Sequence, residues 1–171
     1  MKNIILIFVL GIAIFSCDPK PSQECIDLNI ANSKVKSNVE LYSKVWDTAI
    51  NGRNIEIINK DNFDKDIKAI TADGNIEGID AFKAYYNNYL TGFSDAEFNI
   101  VDVFGQGDKI VKHWNFKGTH DGDFFGIPAT GKKIDLIGTT LVLMKDGKII
   151  QEQDFFDNYS LLSQLGLLPT E

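Results

Sequence analysis

The sequence predicts an α+β fold in which helices pack on the concave face of a curved antiparallel sheet, forming a cone whose mouth is a small-molecule pocket. Three observations carry this expectation. Apolar residues recur at helical 3/4 spacing up to about residue 92 and alternate with period two from Glu97 onward. The long apolar runs of the second half are separated by turn signals at Gly105-Gln106-Gly107-Asp108 and Asp146-Gly147, the pattern of a meander. The chain has 171 residues, 44% hydrophobic and 11% aromatic, enough for one core and too apolar for global disorder.

Met1-Lys2-Asn3 carries one positive charge and is followed by an apolar run from Ile4 to Phe15. A bilayer span needs about 20 apolar residues, so this shorter run reads as the h-region of an export signal. It ends in Ile14-Phe15-Ser16-Cys17, which resembles a bacterial lipoprotein box, although Phe15 replaces the usual small residue. The resemblance implies a signal peptide over 1–17, a lipidated Cys17, membrane attachment through that cysteine and a place in the bacterial cell envelope. The alternative is an ordinary secretory signal. Residues 18–37 are polar, with Pro19, Pro21, Ser22, Ser33 and Ser37, and read as a flexible tether. Cys25 within it has no neighbour that would activate a thiol and reads as a linker residue.

The folded domain is expected over 38–171. Val39, Tyr42, Val45, Trp46 and Ala49 share one face of a helix from Asn38, and Asn51-Gly52 ends it. A short helical piece follows at Ile55 to Asn59, then a hairpin between Asp66 and Glu77 turning at Ala72-Asp73-Gly74-Asn75. Ile79, Phe82, Tyr85, Tyr86, Tyr89 and Leu90 make the stripe of another helix reaching Gly92. Strands are expected before Gly105, over Ile110 to Lys117, over Lys132 to Met144 and over Lys148 to Asp157, with a last short helix at Tyr159 to Leu165.

A formal net charge of −7, from 17 basic and 24 acidic residues, excludes an electrostatic nucleic-acid binder. Two cysteines and two histidines leave no material for a zinc site, and no metal is expected. Gly105-Gln106-Gly107 lacks the Gly-Lys-Ser/Thr of a phosphate loop, and Asp121-Gly122-Asp123 lacks the rest of a calcium loop. His120 beside them reads as a turn residue. No Ser-His-Asp or Cys-His arrangement stands out.

The stretch Gly118-Thr119-His120-Asp121-Gly122-Asp123-Phe124-Phe125-Gly126-Ile127-Pro128-Ala129-Thr130-Gly131-Lys132 resembles the family of SnoaL-like polyketide cyclases, also called ester cyclases. Asp146-Gly147-Lys148-Ile149, Asp157 and Leu161 to Gly166 fit downstream; Val45-Trp46, Asn51-Gly52 and Gly78 to Phe82 fit upstream. The resemblance covers about residues 38–168. It implies the nuclear-transport-factor-2-like cone, a pocket without cofactor or metal, and ring closure or isomerisation of a carbonyl-bearing substrate by an aspartate acting as general acid and base. By position that aspartate falls on Asp157, where Phe155 and Phe156 would desolvate it. Asp157 also stands where it could cap the last helix, and Asp154, on the opposite strand face, is the second candidate.

His113 falls where many relatives carry arginine and would polarise a substrate carbonyl, with Asn115 and Lys117 on the same strand face. Gln153 and Phe155 share a face with Asp157 and are expected to bind substrate. Tyr42, Trp46 and the Tyr85, Tyr86 and Tyr89 cluster read first as core, with one or two of them expected to line the mouth; Tyr42 and Trp46 are the substrate-binding candidates among them. Leu143-Met144 stands where relatives often carry arginine, so the pocket is altered. The expected partner is a small apolar or carbonyl-bearing molecule, and an exposed sheet face could join two copies. The readings left open are an acid/base enzyme, a non-catalytic ligand-binding lipoprotein and a dimeric partner-binding one.

Overall fold

The computed structural model describes residues 20–72 and 74–168, so the leader and Cys17 lie outside the described residues. Helix α1 spans Gln23–Trp46. It begins well before Asn38, inside the stretch expected to be a flexible tether. Ser22 caps it by accepting from the Cys25 backbone N–H at 3.2 Å, and Glu24 complements the helix dipole. Residues 23–34 are exposed all round, so no apolar stripe marks them. Packing starts where Lys34 pairs with Asp108 at 2.6 Å, and Asn38, Tyr42, Val45 and Trp46 are buried beyond it.

A π-helical turn, Asp47–Asn51, carries the chain off the sheet to Arg53, which has φ 49°. The Arg53 guanidinium donates to the carbonyls of Leu90 at 2.7 Å, Phe93 at 3.0 Å and Ser94 at 3.1 Å. It thereby satisfies the orphan acceptors at the end of α2, Ile79–Gly92. The short helical piece expected near residue 55 is a 3₁₀ turn, Ile55–Ile57. The expected hairpin is β1, Phe63–Thr71, with β2, Gly74–Glu77.

The second half forms β3 (Glu97–Gln106), β4 (Lys109–Thr119), β5 (Lys133–Lys145), β6 (Lys148–Phe156) and α3 (Asn158–Gln164). The six strands lie in the order β2-β1-β6-β5-β4-β3. The sheet is mixed rather than purely antiparallel. After α2 the chain enters the sheet at the far edge, meanders back through β4 and β5, and β6 arrives parallel to β1. Asp146 (φ 50°) and Gly147 (φ 74°) make the tight β5–β6 turn that the Asp-Gly pair signals.

Register shifts at Ile100/Asp102 and at Leu143/Met144 bend the sheet around the helices. Tyr42, Trp46, Phe63, Phe82 and Phe93, all buried, fill the space between helices and concave face. On the inner face of β5, Gly138 leaves no room for a side chain. A Cβ on Gly138 would sit 2.3 Å from Cζ2 of Trp114, its cross-strand neighbour. Gly138→Ala is therefore expected to cost about 1–3 kcal/mol. Urea unfolding checks this, and an unchanged midpoint would refute the close approach.

Candidate active site

Strand phase decides which polar side chains meet. On β4, Lys112, Trp114 and Phe116 are buried on the concave side, while His113, Asn115 and Lys117 point outward. The register aligns Lys112 with Thr140 on β5 and Thr140 with Asp154 on β6, so three polar residues cross the inner face in one row. Glu152, two residues before Asp154 on the same face, is fully buried. Helix α1 lowers Tyr42 and Trp46 onto this row, and α2 lowers Tyr86.

The Trp46 indole N–H donates to Glu152 Oε1 at 3.0 Å. The Tyr86 hydroxyl lies between two carboxyls, 3.3 Å from Glu152 Oε2 and 2.8 Å from Asp154 Oδ2. Thr140 donates to Asp154 Oδ1 and accepts from the Trp114 indole N–H at 3.0 Å. Lys112 Nζ sits 4.7 to 5.0 Å from the ring centroids of Trp46, Phe98 and Tyr42. These rings present their negative faces to the ammonium. The Tyr42 hydroxyl is buried beside Glu152 and Thr140.

Burial dominates the electrostatics of the cluster. It pushes the Glu152 carboxyl up to about 8; Asp154 adds to the rise, and Lys112, Trp46 and Tyr86 oppose it. Burial also lowers Lys112, against the pull of Glu152 and Asp154. The Tyr42 and Tyr86 hydroxyls are raised by burial first and then by the two carboxyls.

Asp154 is half-buried because a cavity of about 680 Å³ opens above it. Tyr85, Tyr86 and Tyr89 of α2 form one wall, and Phe124, Phe125 and Ile127 of the β4–β5 loop form another. Tyr85 and Tyr89 meet the Phe125 ring at centroid distances of 5.1 and 5.9 Å. His120 anchors that loop: its Nδ1 accepts from the Thr130 backbone N–H at 3.3 Å, and its ring packs on Phe93 and Phe124. The chamber is aromatic, with its carboxyls on the floor. Among the described residues no cluster of His, Cys, Asp and Glu could hold a metal ion.

Several residues singled out in the sequence lie elsewhere. Asp157 is exposed at the N-cap of α3, where Oδ1 accepts from the backbone N–H groups of Tyr159 at 2.9 Å and Ser160 at 3.2 Å. Its capping geometry is therefore present, whereas the expected desolvation between Phe155 and Phe156 is not. His113 is on the outer face, across the sheet from the cavity, because its neighbours Lys112 and Trp114 take the inner face. Asn115, also outward, donates to Asp135 Oδ1 at 2.6 Å and to the Leu136 carbonyl at 2.9 Å.

Gln153 and Phe155 border the cavity at the β6 edge, Phe155 remaining 49% exposed. Tyr42 and Trp46 are core residues beneath the cavity floor. Lys112, Thr140 and Glu152 were not expected at a site, whereas the Tyr85, Tyr86 and Tyr89 cluster, expected to contribute to the mouth, does line the cavity. The signal for Lys112 was its phase with Ile110, Trp114 and Phe116. Glu152 had none, because the register shift at Leu143/Met144 lets Ile149 and Glu152 both turn inward.

The model of the SnoaL-like polyketide cyclases matches residues 36–165. The chain belongs to the SnoaL-like polyketide cyclase family. Among solved structures, a protein from Jannaschia sp. CCS1 described as a SnoaL-like polyketide cyclase is 23% identical, covering 79% of this chain and 95% of its own, with TM-score 0.72. TsrD from Streptomyces laurentii is 23% identical over 77% of this chain and 97% of its own, with TM-score 0.69. TerC, solved with polyporic acid, is 17% identical over 76% of this chain and 98% of its own, with TM-score 0.61. No curated protein matches the chain. These similarities establish the nuclear-transport-factor-2-like fold.

The raised Glu152 carboxyl makes stability pH-dependent. The native state keeps a proton that the unfolded chain, with the ordinary value of 4.5, releases. Its contribution is fully present below about 4.5 and is lost as pH rises through about 8. The Tm should therefore fall across that interval, and Glu152→Gln should flatten the fall. A variant slope as steep as the wild type would assign the effect to other groups.

Proposed function

We propose that this member of the family is an acid/base catalyst acting on a small, largely apolar, carbonyl-bearing molecule, with Asp154 as the general base. The observation that carries the reading is the placement of the Asp154 carboxyl on the floor of an aromatic chamber. Its two oxygens are already oriented by Tyr86 and Thr140. Those hydroxyls fix the direction of its oxygens, as removal of a proton from carbon next to a carbonyl requires. The aromatic walls exclude water and suit a planar substrate. Asp154 is preferred to Asp157 because Asp157 is committed to the α3 backbone outside the chamber. TerC, which shares the fold, was crystallised with polyporic acid, and the chamber here, about 680 Å³, has room for a small molecule.

The N-terminal leader supports a second part of the reading, a domain tethered to the bacterial envelope through lipidated Cys17. The exposed turns of α1, residues 23–34, would then hold the chamber clear of the membrane surface by about 1.5 Å per residue. Cells fed an alkyne-tagged fatty acid should label the full chain and not its Cys17→Ser variant. Equal labelling of the two would remove the anchor.

The central test is native mass spectrometry of the chain from Asp18 onward after incubation with a small-molecule extract of its own cells. A retained compound identifies the ligand, and its return in changed form identifies turnover. Asp154→Asn should then keep binding and lower turnover by about 10²–10⁴-fold. Full turnover by that variant would exclude Asp154, and an unchanged ligand would make the protein a binder.

A further inference from the structure

The chamber floor holds two carboxyls, and their hydrogen bonds are not equivalent. We infer that Glu152 and Asp154 form a one-proton pair bridged by the Tyr86 hydroxyl, with Glu152 carrying the proton at rest and Asp154 the negative charge. This deepens the proposed role of Asp154 and rests on it for its use in catalysis; the resting arrangement stands on geometry alone.

Every element packed against Glu152 contributes to the argument. From α1 come Tyr42 and Trp46, from α2 Tyr86, from β4 Lys112, from β5 Thr140 and from β6 Asp154. Lys112 is the one cation facing the two carboxyls among the described residues, and it is buried. With both carboxyls ionised the cluster would carry an uncompensated negative charge out of water, which is costly. With one proton it is neutral.

The hydrogen bonds say which carboxyl holds that proton. Asp154 receives two hydroxyl donors, from Tyr86 and Thr140, while the Trp114 N–H occupies one acceptor site of Thr140. Tyr86 has a single proton, and the shorter contact, 2.8 Å against 3.3 Å, commits it to Asp154. An ionised Glu152 Oε2 would then face the lone pairs of Tyr86, whereas a protonated one donates to them. Glu152 Oε1 is occupied by the Trp46 N–H, which leaves Oε2 as the atom bearing the proton. Lys112 over its three rings makes no ion pair within 4.0 Å, so no direct cation contact holds Glu152 in the charged form.

The arrangement gives Asp154 two roles. In the resting arrangement it is charged and accepts a proton from substrate carbon. Alternatively the Glu152 Oε2 proton passes to Tyr86 Oη while the Tyr86 proton passes to Asp154 Oδ2. Two O–H bonds break and two form, and one negative charge moves from Asp154 to Glu152, nearer the field of Lys112. Asp154 then holds a proton to give to a developing alkoxide.

Carbon-13 NMR with labelled Glu and Asp side-chain carboxyls tests the pair without any substrate. One Glu resonance of the intact domain should titrate near the value of about 8 set by its burial, and be missing in Glu152→Gln. Asp154→Asn, which removes the neighbouring negative charge, should move that midpoint down and so assigns the resonance even if the Gln variant does not fold. The Asp154 resonance should follow the same step in the wild type and lose it in Tyr86→Phe. If every Glu carboxyl of the wild type titrates in the ordinary range, Glu152 is charged at rest and the inference fails. If Asp154 follows the step undiminished in Tyr86→Phe, the bridge fails. Both results are independent of turnover by Asp154→Asn, which judges the catalytic reading separately.

Discussion

Burial of Lys112, Glu152 and Asp154 between three aromatic side chains and the sheet is the constraint that the rest of the structure serves. Ionisable groups are removed from water only at a cost of several kcal/mol each unless charge and hydrogen bonds are balanced. Here the balance is supplied from every layer: two indole N–H groups, two hydroxyls and a cage of rings around the ammonium. The positions of α1, α2 and the β4–β6 register are all needed to complete it. Helix α1 therefore packs by Tyr42 and Trp46, and Gly138 stays bare so that Trp114 can reach Thr140.

The cavity follows from the same construction. A sheet bent by three register shifts, at Phe63/Lys68, Ile100/Asp102 and Leu143/Met144, cannot stay in contact with the helices along its whole length. The gap falls where α2, the end of β6 and the β4–β5 loop converge. The loop closes one wall with Phe124 and Phe125, held by the His120 ring at its base. Asp154 stands at the boundary between the packed cluster and the open chamber, half in each, which gives it both an ordered set of partners and access to a ligand.

The outer face of the sheet has a different character. Phe104, Ile137, Leu141 and Phe155 are exposed there, among His113, Asn115 and Gln153. Four of the residues first read as substrate contacts or catalytic partners, His113, Asn115, Gln153 and Phe155, belong to this face or its edge. The reason is the two-residue period of a strand: an error of one position exchanges the faces entirely. On β4 the apolar count of Ile110, Trp114 and Phe116 was sufficient to choose the inner face, and it carries Lys112 with it. On β6 the count gives no answer, because the register shift puts Ile149 and Glu152, of opposite parity, both inside.

The sequence by itself determined the architecture and family: helical periodicity, then strand alternation, the Asp146-Gly147 turn and the Gly118 to Lys132 stretch are local signals that survive without neighbours. Tertiary structure alone placed Asp154 at the chamber and Asp157 at the α3 N-cap. Helix formation over residues 23–34, the parallel pairing of β1 with β6, and the pKa of Glu152 likewise depend on capping, chain crossing and burial. Such effects arise from atoms far apart in sequence, and no periodicity within one segment records them.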